Sequence, residues 1–153
     1  MIAVLQRVYN ATVFADGSLS GEIGEGLYIL LGVLNGDSER DAKVLAEKIS
    51  KCRIFCDENG KMNLSINDIS GEVMVVSNFT LGANYAHGNR PDYFNSANPS
   101  LAEELYNLFK AELAKRVKRV AAGVFGADMR TEMSTNGPVT IVMDSSVLLG
   151  GKK

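Results

Sequence analysis

The sequence predicts an α+β fold: a single compact domain of mixed β-sheets with two main helices. Three observations carry that expectation. The stretches from Ser38 to Lys51 and from Asn98 to Leu113 have the apolar spacing of amphipathic helices. Runs of strand length lie around them, and one, Gly26 to Val33, is continuously apolar. No repeat, low-complexity tract or linker divides the chain, so one domain over residues 1–153 is expected. A chain of 153 residues buries a sizeable core without covalent staples.

Each element has its own signal. Met1 to Phe14 alternates around Val4, Gln6 and Val8, as half-buried strands do. Asp16-Gly17 is a turn sequence, and Leu19 to Glu22 is expected to pair back as a hairpin. Gly26 to Val33 reads as a central strand. Ser38 opens the first helix as a cap, with Glu39 and Asp41 beside its positive end. Ala42, Leu45, Ala46 and Ile49 form the apolar stripe. Ile54 to Cys56 reads as a strand before the turn Glu58-Asn59-Gly60, and Glu72 to Val76 as a stronger one. Gly82 to Asn95 has the composition of a loop, and a loop that long is often functional. Asn98-Pro99-Ser100 starts the second helix, faced by Leu101, Leu105, Leu108, Phe109 and Leu113. Val120 to Asp144 reads as short strands joined by glycines.

Sixteen basic and eighteen acidic side chains leave a net charge of −2, which excludes a broadly basic nucleic-acid binder but leaves room for a local basic patch. Lys115, Arg116, Lys118 and Arg119 are the candidates for phosphate contact, against the reading of a solvated helix end. No apolar run reaches the roughly 20 residues of a membrane helix. The N-terminus lacks the order of a signal peptide, and two cysteines do not make a disulfide scaffold, so a cytoplasmic protein is expected. Cys52 and Cys56 read as packed free thiols, and no metal site is expected, because structural zinc wants four ligands. His87 is the single histidine, which removes two-histidine metal sites within one chain. No G-x-S-x-G elbow and no phosphate-binding Walker loop occurs. An enzyme built from this chain is therefore expected to rely on positioning and oxyanion stabilisation, with an activated substrate, rather than on a strong general base.

Two segments stand out. Ser77-Asn78-Phe79-Thr80-Leu81 follows an apolar strand and puts two hydroxyls and an amide at a strand end. The alternative is a strand end whose Ser and Thr satisfy their own backbone. Asn136-Gly137-Pro138-Val139-Thr140 is the second, and an ordinary turn is the alternative there.

These segments belong to a longer pattern. Gln6-Arg7-Val8, Arg53-Ile54-Phe55 with Gly60 to Ser65, Ser77 to Leu81, Gly123 to Met129, and Asn136 to Thr140 occur in order along the chain. In order and spacing they resemble the D-aminoacyl-tRNA deacylases over essentially the whole length. The resemblance implies a homodimeric D-aminoacyl-tRNA deacylase-like fold with active sites at the subunit interface. It implies hydrolysis of the ester between tRNA and a D-amino acid, without a cofactor and with the acceptor end of the tRNA as partner. It places Thr80, Phe79 and Asn78 in catalysis. Thr80 acts there as a nucleophile, or else the tRNA's terminal 2′-hydroxyl drives the reaction. It gives substrate contact to Ser77, Phe125 and Met129, and to Gly137 and Pro138, whose cis peptide enters the partner's pocket and rejects L-amino acids. Arg7 and Asn136 support that segment.

One departure from the family's pattern is Asn78, where glutamine is usual in the second place of the motif. Asparagine keeps the amide on a stem one methylene shorter. The physics suits the resemblance, since an aminoacyl ester activated by its neighbouring hydroxyl and its α-ammonium needs little acid–base help. A pocket that excludes L side chains also admits achiral glycine, so glycyl-tRNA is an expected second substrate. Two other functions fit the residues: a non-catalytic binding module of the same fold, and a general esterase using Thr80.

Overall fold

The computed structural model describes residues 1–150; the expected domain of residues 1–153 runs three residues beyond them. Eight strands and three helices follow in the order β1 (Ile2–Ala15), β2 (Ser18–Ile23), β3 (Gly26–Gly32), α1 (Glu39–Ser50), β4 (Phe55–Cys56), β5 (Met62–Leu64), β6 (Glu72–Ser77), α2 (Pro99–Ala114), β7 (Val120–Ala122), β8 (Met129–Asp144) and α3 (Ser145–Leu148). A 3₁₀ turn, Phe79–Gly82, follows β6.

β1 organises the main sheet. One edge pairs antiparallel with β8 from Ile2 to Ala15. The other pairs first with β3, over Ile2 to Val8, and then with β2, over Ala11 to Ala15. The β1–β2 turn runs through Asp16 at φ 48° and Gly17 at φ 82°, the left-handed pair that a tight hairpin requires. β3 continues to β6 and β6 to β7, both in parallel. The sheet is mixed, and it curls until its far strands meet. The Ser20 hydroxyl donates to the Ala122 carbonyl at 2.9 Å, and Arg119 donates to the Glu22 carbonyl at 2.9 Å. The result is a nearly closed barrel.

Two cores follow from the alternation of strand side chains. Leu5, Leu27, Ile29, Val73 and Val75 face the helices and pack against Leu45, Ile49, Leu105 and Phe109. Val8, Val13, Tyr28, Met74 and Val76 fill the inside of the curl. β3 has six of its seven residues buried, as its apolar run predicts. The expected stripe of α1 is fully covered, with Ala42, Leu45, Ala46 and Ile49 at 0% exposure.

The expected cap of α1 takes a reciprocal form. The Asp41 carboxylate accepts from the Ser38 N–H at 2.9 Å and from the Ser38 hydroxyl at 2.8 Å. It also accepts from the buried Ser145 hydroxyl at 2.7 Å, tying α1 to α3. The Asn98 side chain caps α2 by accepting from the Leu101 N–H, and Pro99 occupies the first turn.

The reading of residues 120–144 as short strands needs correction. Residues 129–144 form one strand of 16 residues. Its break is internal. Gln6 pairs with Thr140 and Val8 with Thr135, so the four residues 136–139 stand opposite Arg7 alone. Pro138 lacks an N–H and fits such a bulge, where no ladder bond is lost. Long-range pairing with β1 carries the strand through a sequence that looks locally like a turn.

Burial raises the Asp41 carboxyl, but the hydrogen bonds from Ser145 and Ser38 and the nearby Met1 ammonium outweigh it, and the pKa is lowered. A carboxyl lowered by folding adds stability above its unfolded pKa, and that contribution is lost as the pH falls through the folded value. Asp41→Asn should unfold at lower denaturant than the parent near neutral pH and lose less stability between about pH 5 and pH 3. Urea titrations at several pH values check both points.

Candidate active site

β6 is buried on both sides and delivers the chain to Ser77 at its end. Asn78 is extended and fixed to the next strand by its N–H, which donates to the Leu31 carbonyl at 2.9 Å. The chain then tightens into the 3₁₀ turn. The Asn78 side-chain oxygen accepts from the Thr80 N–H at 3.2 Å and from the Thr80 hydroxyl. Asparagine at this position thus caps its own turn, which its short stem allows. The Phe79 N–H, at the first position of the turn, has no partner among the described residues. The Phe79 carbonyl accepts from the Ser96 hydroxyl at 2.7 Å. That contact needs glycine at position 82, because a Cβ there would overlap the Ser96 hydroxyl.

A cavity of roughly 530 Å³ opens beside this turn. Ser77, Asn78 and Phe79 form one wall, and Phe125, from the connection between β7 and β8, forms another with Met129, the first residue of β8. Tyr93 closes the loop side and meets Phe79 edge to face, with ring centroids 5.0 Å apart. Phe125 is held from behind by Tyr106, at 5.8 Å between centroids. Tyr106 is fixed in turn by its hydroxyl, which donates to the Val75 carbonyl at 3.0 Å, and burial pushes that phenol up to about 12. The ring therefore stays protonated across the useful pH range and serves as a fixed support.

Five of the residues singled out in the sequence thus line one cavity. Thr80 is exposed and does not line it, but hydrogen-bonds to Asn78, which does. Gly137 and Pro138 sit apart, exposed on the bulge of β8, joined by a cis peptide. Arg7 lies behind them, 7% exposed. Its guanidinium donates to the Asn136 carbonyl and the Asn136 side-chain oxygen, both at 3.1 Å, and to the Ile54 carbonyl at 2.8 Å. Cys56 Sγ lies 3.5 Å from the same guanidinium. Arg7 and Asn136 therefore form a bracket under the Gly137-Pro138 corner.

Sequence reading missed Tyr93, Ser96, Ala97 and Ala102 around the cavity. Only the aromatic in a polar loop offered a signal, since small residues at the start of a helix mark a cavity only once the fold is known. The basic cluster at the end of α2 is largely spent on carboxylates. Lys115 and Arg116 pair with Glu112 at 2.6 and 2.8 Å, and Arg119 pairs with Glu72 at 3.1 Å. Among the described residues, no three His, Cys, Asp or Glu side chains gather in a metal-binding group.

Residues 4–144 match the family described as D-Tyr-tRNA(Tyr) deacylase. The chain belongs to that family. It is 51% identical to a D-aminoacyl-tRNA deacylase of Caldicellulosiruptor saccharolyticus over 145 residues, 95% of this chain and 97% of the relative. It is 49% identical to one of Persephonella marina over 148 residues, 97% of this chain and 100% of the relative. The solved structure of a c-Myc DNA Unwinding Element Binding Protein superposes with a TM-score of 0.88 at 36% identity, covering 94% of this chain and 98% of the other. A probable eukaryotic D-amino acid tRNA deacylase shares the fold, with a TM-score of 0.80 at 14% identity over 93% of this chain and 97% of the other. Within this deacylase family chain, the 3₁₀ turn and the cavity fall inside the matched span.

Two outcomes test this geometry. Arg7→Lys keeps the charge but not the planar fork, and should cost about 1–3 kcal/mol of unfolding free energy, as donors to Asn136 and Ile54 are lost. Asn78→Ala should uncap the turn at a cost of about 1 kcal/mol. Hydrogen exchange at Thr80 should accelerate in Asn78→Ala with little change in β3.

Proposed function

We propose that this chain hydrolyses the ester bond of D-aminoacyl-tRNA, releasing tRNA and a D-amino acid, and that glycyl-tRNA is a second substrate. The observation that carries the reading is the family match over residues 4–144. The enzyme works in the cytoplasm as a homodimer. The Gly137-Pro138 corner of a second copy enters the cavity and blocks the direction from Cα that an L side chain would take. Rigid main chain suits that task, and the Arg7–Asn136 bracket supplies the rigidity. Ser77, Phe125 and Met129 receive the terminal adenosine and the amino acid.

In the reaction, water, activated by the neighbouring ribose hydroxyl, adds to the ester carbonyl carbon with loss of a proton, and negative charge collects on the carbonyl oxygen. The reading makes the Phe79 N–H, unpaired among the described residues, the hydrogen-bond donor that stabilises that charge. The tetrahedral adduct collapses, the ribose oxygen leaves with a proton, and water supplies the hydroxyl of the free acid. Thr80 is poorly placed to attack directly. Its hydroxyl donates to the Asn78 amide oxygen, which accepts a hydrogen bond but is too weak a base to take a proton. The reading therefore gives Thr80 and Asn78 the task of shaping the turn, and gives the activating hydroxyl to the ribose.

The name attached to the 36%-identical structure raises DNA as a ligand. A net charge of −2 and a basic cluster largely paired with carboxylates give duplex DNA no broad basic face.

The test is deacylation of matched D-tyrosyl-tRNA and L-tyrosyl-tRNA by the purified protein, with and without chelator. Loss of the D ester alone, chelator or not, is expected; equal loss of both would leave a general esterase, and loss of neither a binding module. Thr80→Ala should lose less than about tenfold in kcat, whereas a terminal 2′-deoxyadenosine substrate should lose about 100-fold or more. The reverse pattern would make Thr80 the nucleophile.

A further inference from the structure

The loop between the 3₁₀ turn and α2 carries two large aromatic rings that no core claims. Tyr85 is 79% exposed and Phe94 is 85% exposed. Their neighbour Tyr93 lines the cavity. The backbone that bears them is held firmly. Asn84 and Asp92 exchange both backbone hydrogen bonds, at 2.8 and 2.9 Å, and their side chains join at 3.0 Å. The Phe94 N–H donates to the Asp92 carboxylate at 3.2 Å, and the Phe94 carbonyl accepts from the Asn35 side chain at 2.5 Å. The Ala86 N–H donates to the Asn84 side chain at 3.1 Å. Ser96, at the far end, is tied to Phe79. Arg90, exposed at the tip, pairs with no carboxylate among the described residues.

We propose that Tyr85 and Phe94, with Arg90, form a stacking platform for the unpaired nucleotides that precede the terminal adenosine of the substrate tRNA. The proposal rests on the deacylase reading and deepens it. The 3′ end of a tRNA is single-stranded, and proteins hold such ends by stacking bases on aromatic rings. Every base has a π-face, so the contact serves many tRNAs without reading their sequence. That is what an enzyme acting on many charged tRNAs needs. Stacking also needs no positive field, which suits a chain of net charge −2 whose helix-end cations are mostly paired. Continuity fixes the place: the loop that walls the cavity at Tyr93 carries the rings on its two limbs, one residue and eight residues away along the chain. Arg90 adds one phosphate contact or one further stack.

The test uses two independent readouts. The chain contains no tryptophan, so Tyr85→Trp and Phe94→Trp each introduce a single tryptophan that can be excited apart from the tyrosines. Addition of the RNA trinucleotide CCA should quench both, and adenosine alone should not. In steady-state hydrolysis, the double variant Tyr85→Ala/Phe94→Ala should raise KM for D-tyrosyl-tRNA about tenfold or more. Its KM for the short ester D-tyrosyl-adenosine should equal that of the parent. A parent enzyme that hydrolyses the D ester, with a double variant of unchanged KM, would overturn the platform and leave the deacylase reading intact. Equal quenching by adenosine and CCA would overturn it as well, by placing the rings in the adenosine site. A change of oligomeric state in the double variant, seen by sedimentation, would reassign the rings to a contact between copies of the chain. If the parent hydrolyses no ester, the deacylase reading fails, and the CCA quench still decides whether the platform binds single-stranded RNA.

Discussion

The pairing of β1 along both of its edges is the constraint on which the rest of the structure depends. β8 takes one edge over the full strand, and β3 and β2 share the other. That arrangement forces the sheet to curl, places one set of side chains against the helices and leaves the other inside the barrel. It also fixes where the β8 ladder must yield. Opposite Arg7 four residues stand out of register, and the guanidinium fills the gap with hydrogen bonds to Asn136 and Ile54. A buried cation is costly unless its donors are satisfied, and here the Asn136 oxygens come from the bulge that it supports and the third acceptor is the Ile54 carbonyl, just before β4. The strand and its irregularity are thus mutually determined.

The cavity arises from a different part of the same sheet. β6 runs parallel to β3 and ends at Ser77, where the backbone passes from the ladder to the 3₁₀ turn. The side chain of Asn78 makes that change of direction cheap, since it meets the Thr80 N–H that the strand no longer pairs. Two aromatic supports then set the walls. Tyr106 steadies Phe125 from the helix side, and Tyr93 meets Phe79 from the loop side. Neither support is a reacting group. Both fix ring orientation beside a turn whose hydroxyl and amide are themselves hydrogen-bonded.

What could be read in the sequence divides along the line between local and long-range causes. The buried run of β3, the Asp16-Gly17 hairpin, and the caps and stripes of α1 and α2 are written in neighbouring residues, and they appear where expected. The single long β8 was not legible, because Gly137 and Pro138 look like a break to any local rule. Only its partner strand, more than a hundred residues away, makes it continuous. The motif Ser77 to Leu81 was visible as a polar strand end, but the role of Asn78 as a cap depends on the turn that follows. Phe125 and Met129 were named through family resemblance, with no periodic signal of their own. Tyr93 and Ala102 were missed because a cavity wall is a property of packing between distant segments. In the basic cluster of α2, Lys115 and Arg116 meet Glu112 through the helix repeat, and Arg119 meets Glu72, a pairing that only the fold brings together.

The seam of the barrel has a consequence for the cavity. Phe125 lies in the connection that leaves β7, and Met129 opens β8. β7 itself has only three residues, held on one side by β6 and on the other by the Ser20 hydroxyl on β2. A strand so short is weakly cooperative, and local opening in proteins begins at such places. If the seam parts, Phe125 moves, while Asn78 and Phe79 stay with β6 and Met129 stays paired with Ala15 of β1. The width of the cavity is then a thermal variable governed by β2, an element that contributes no residue to it.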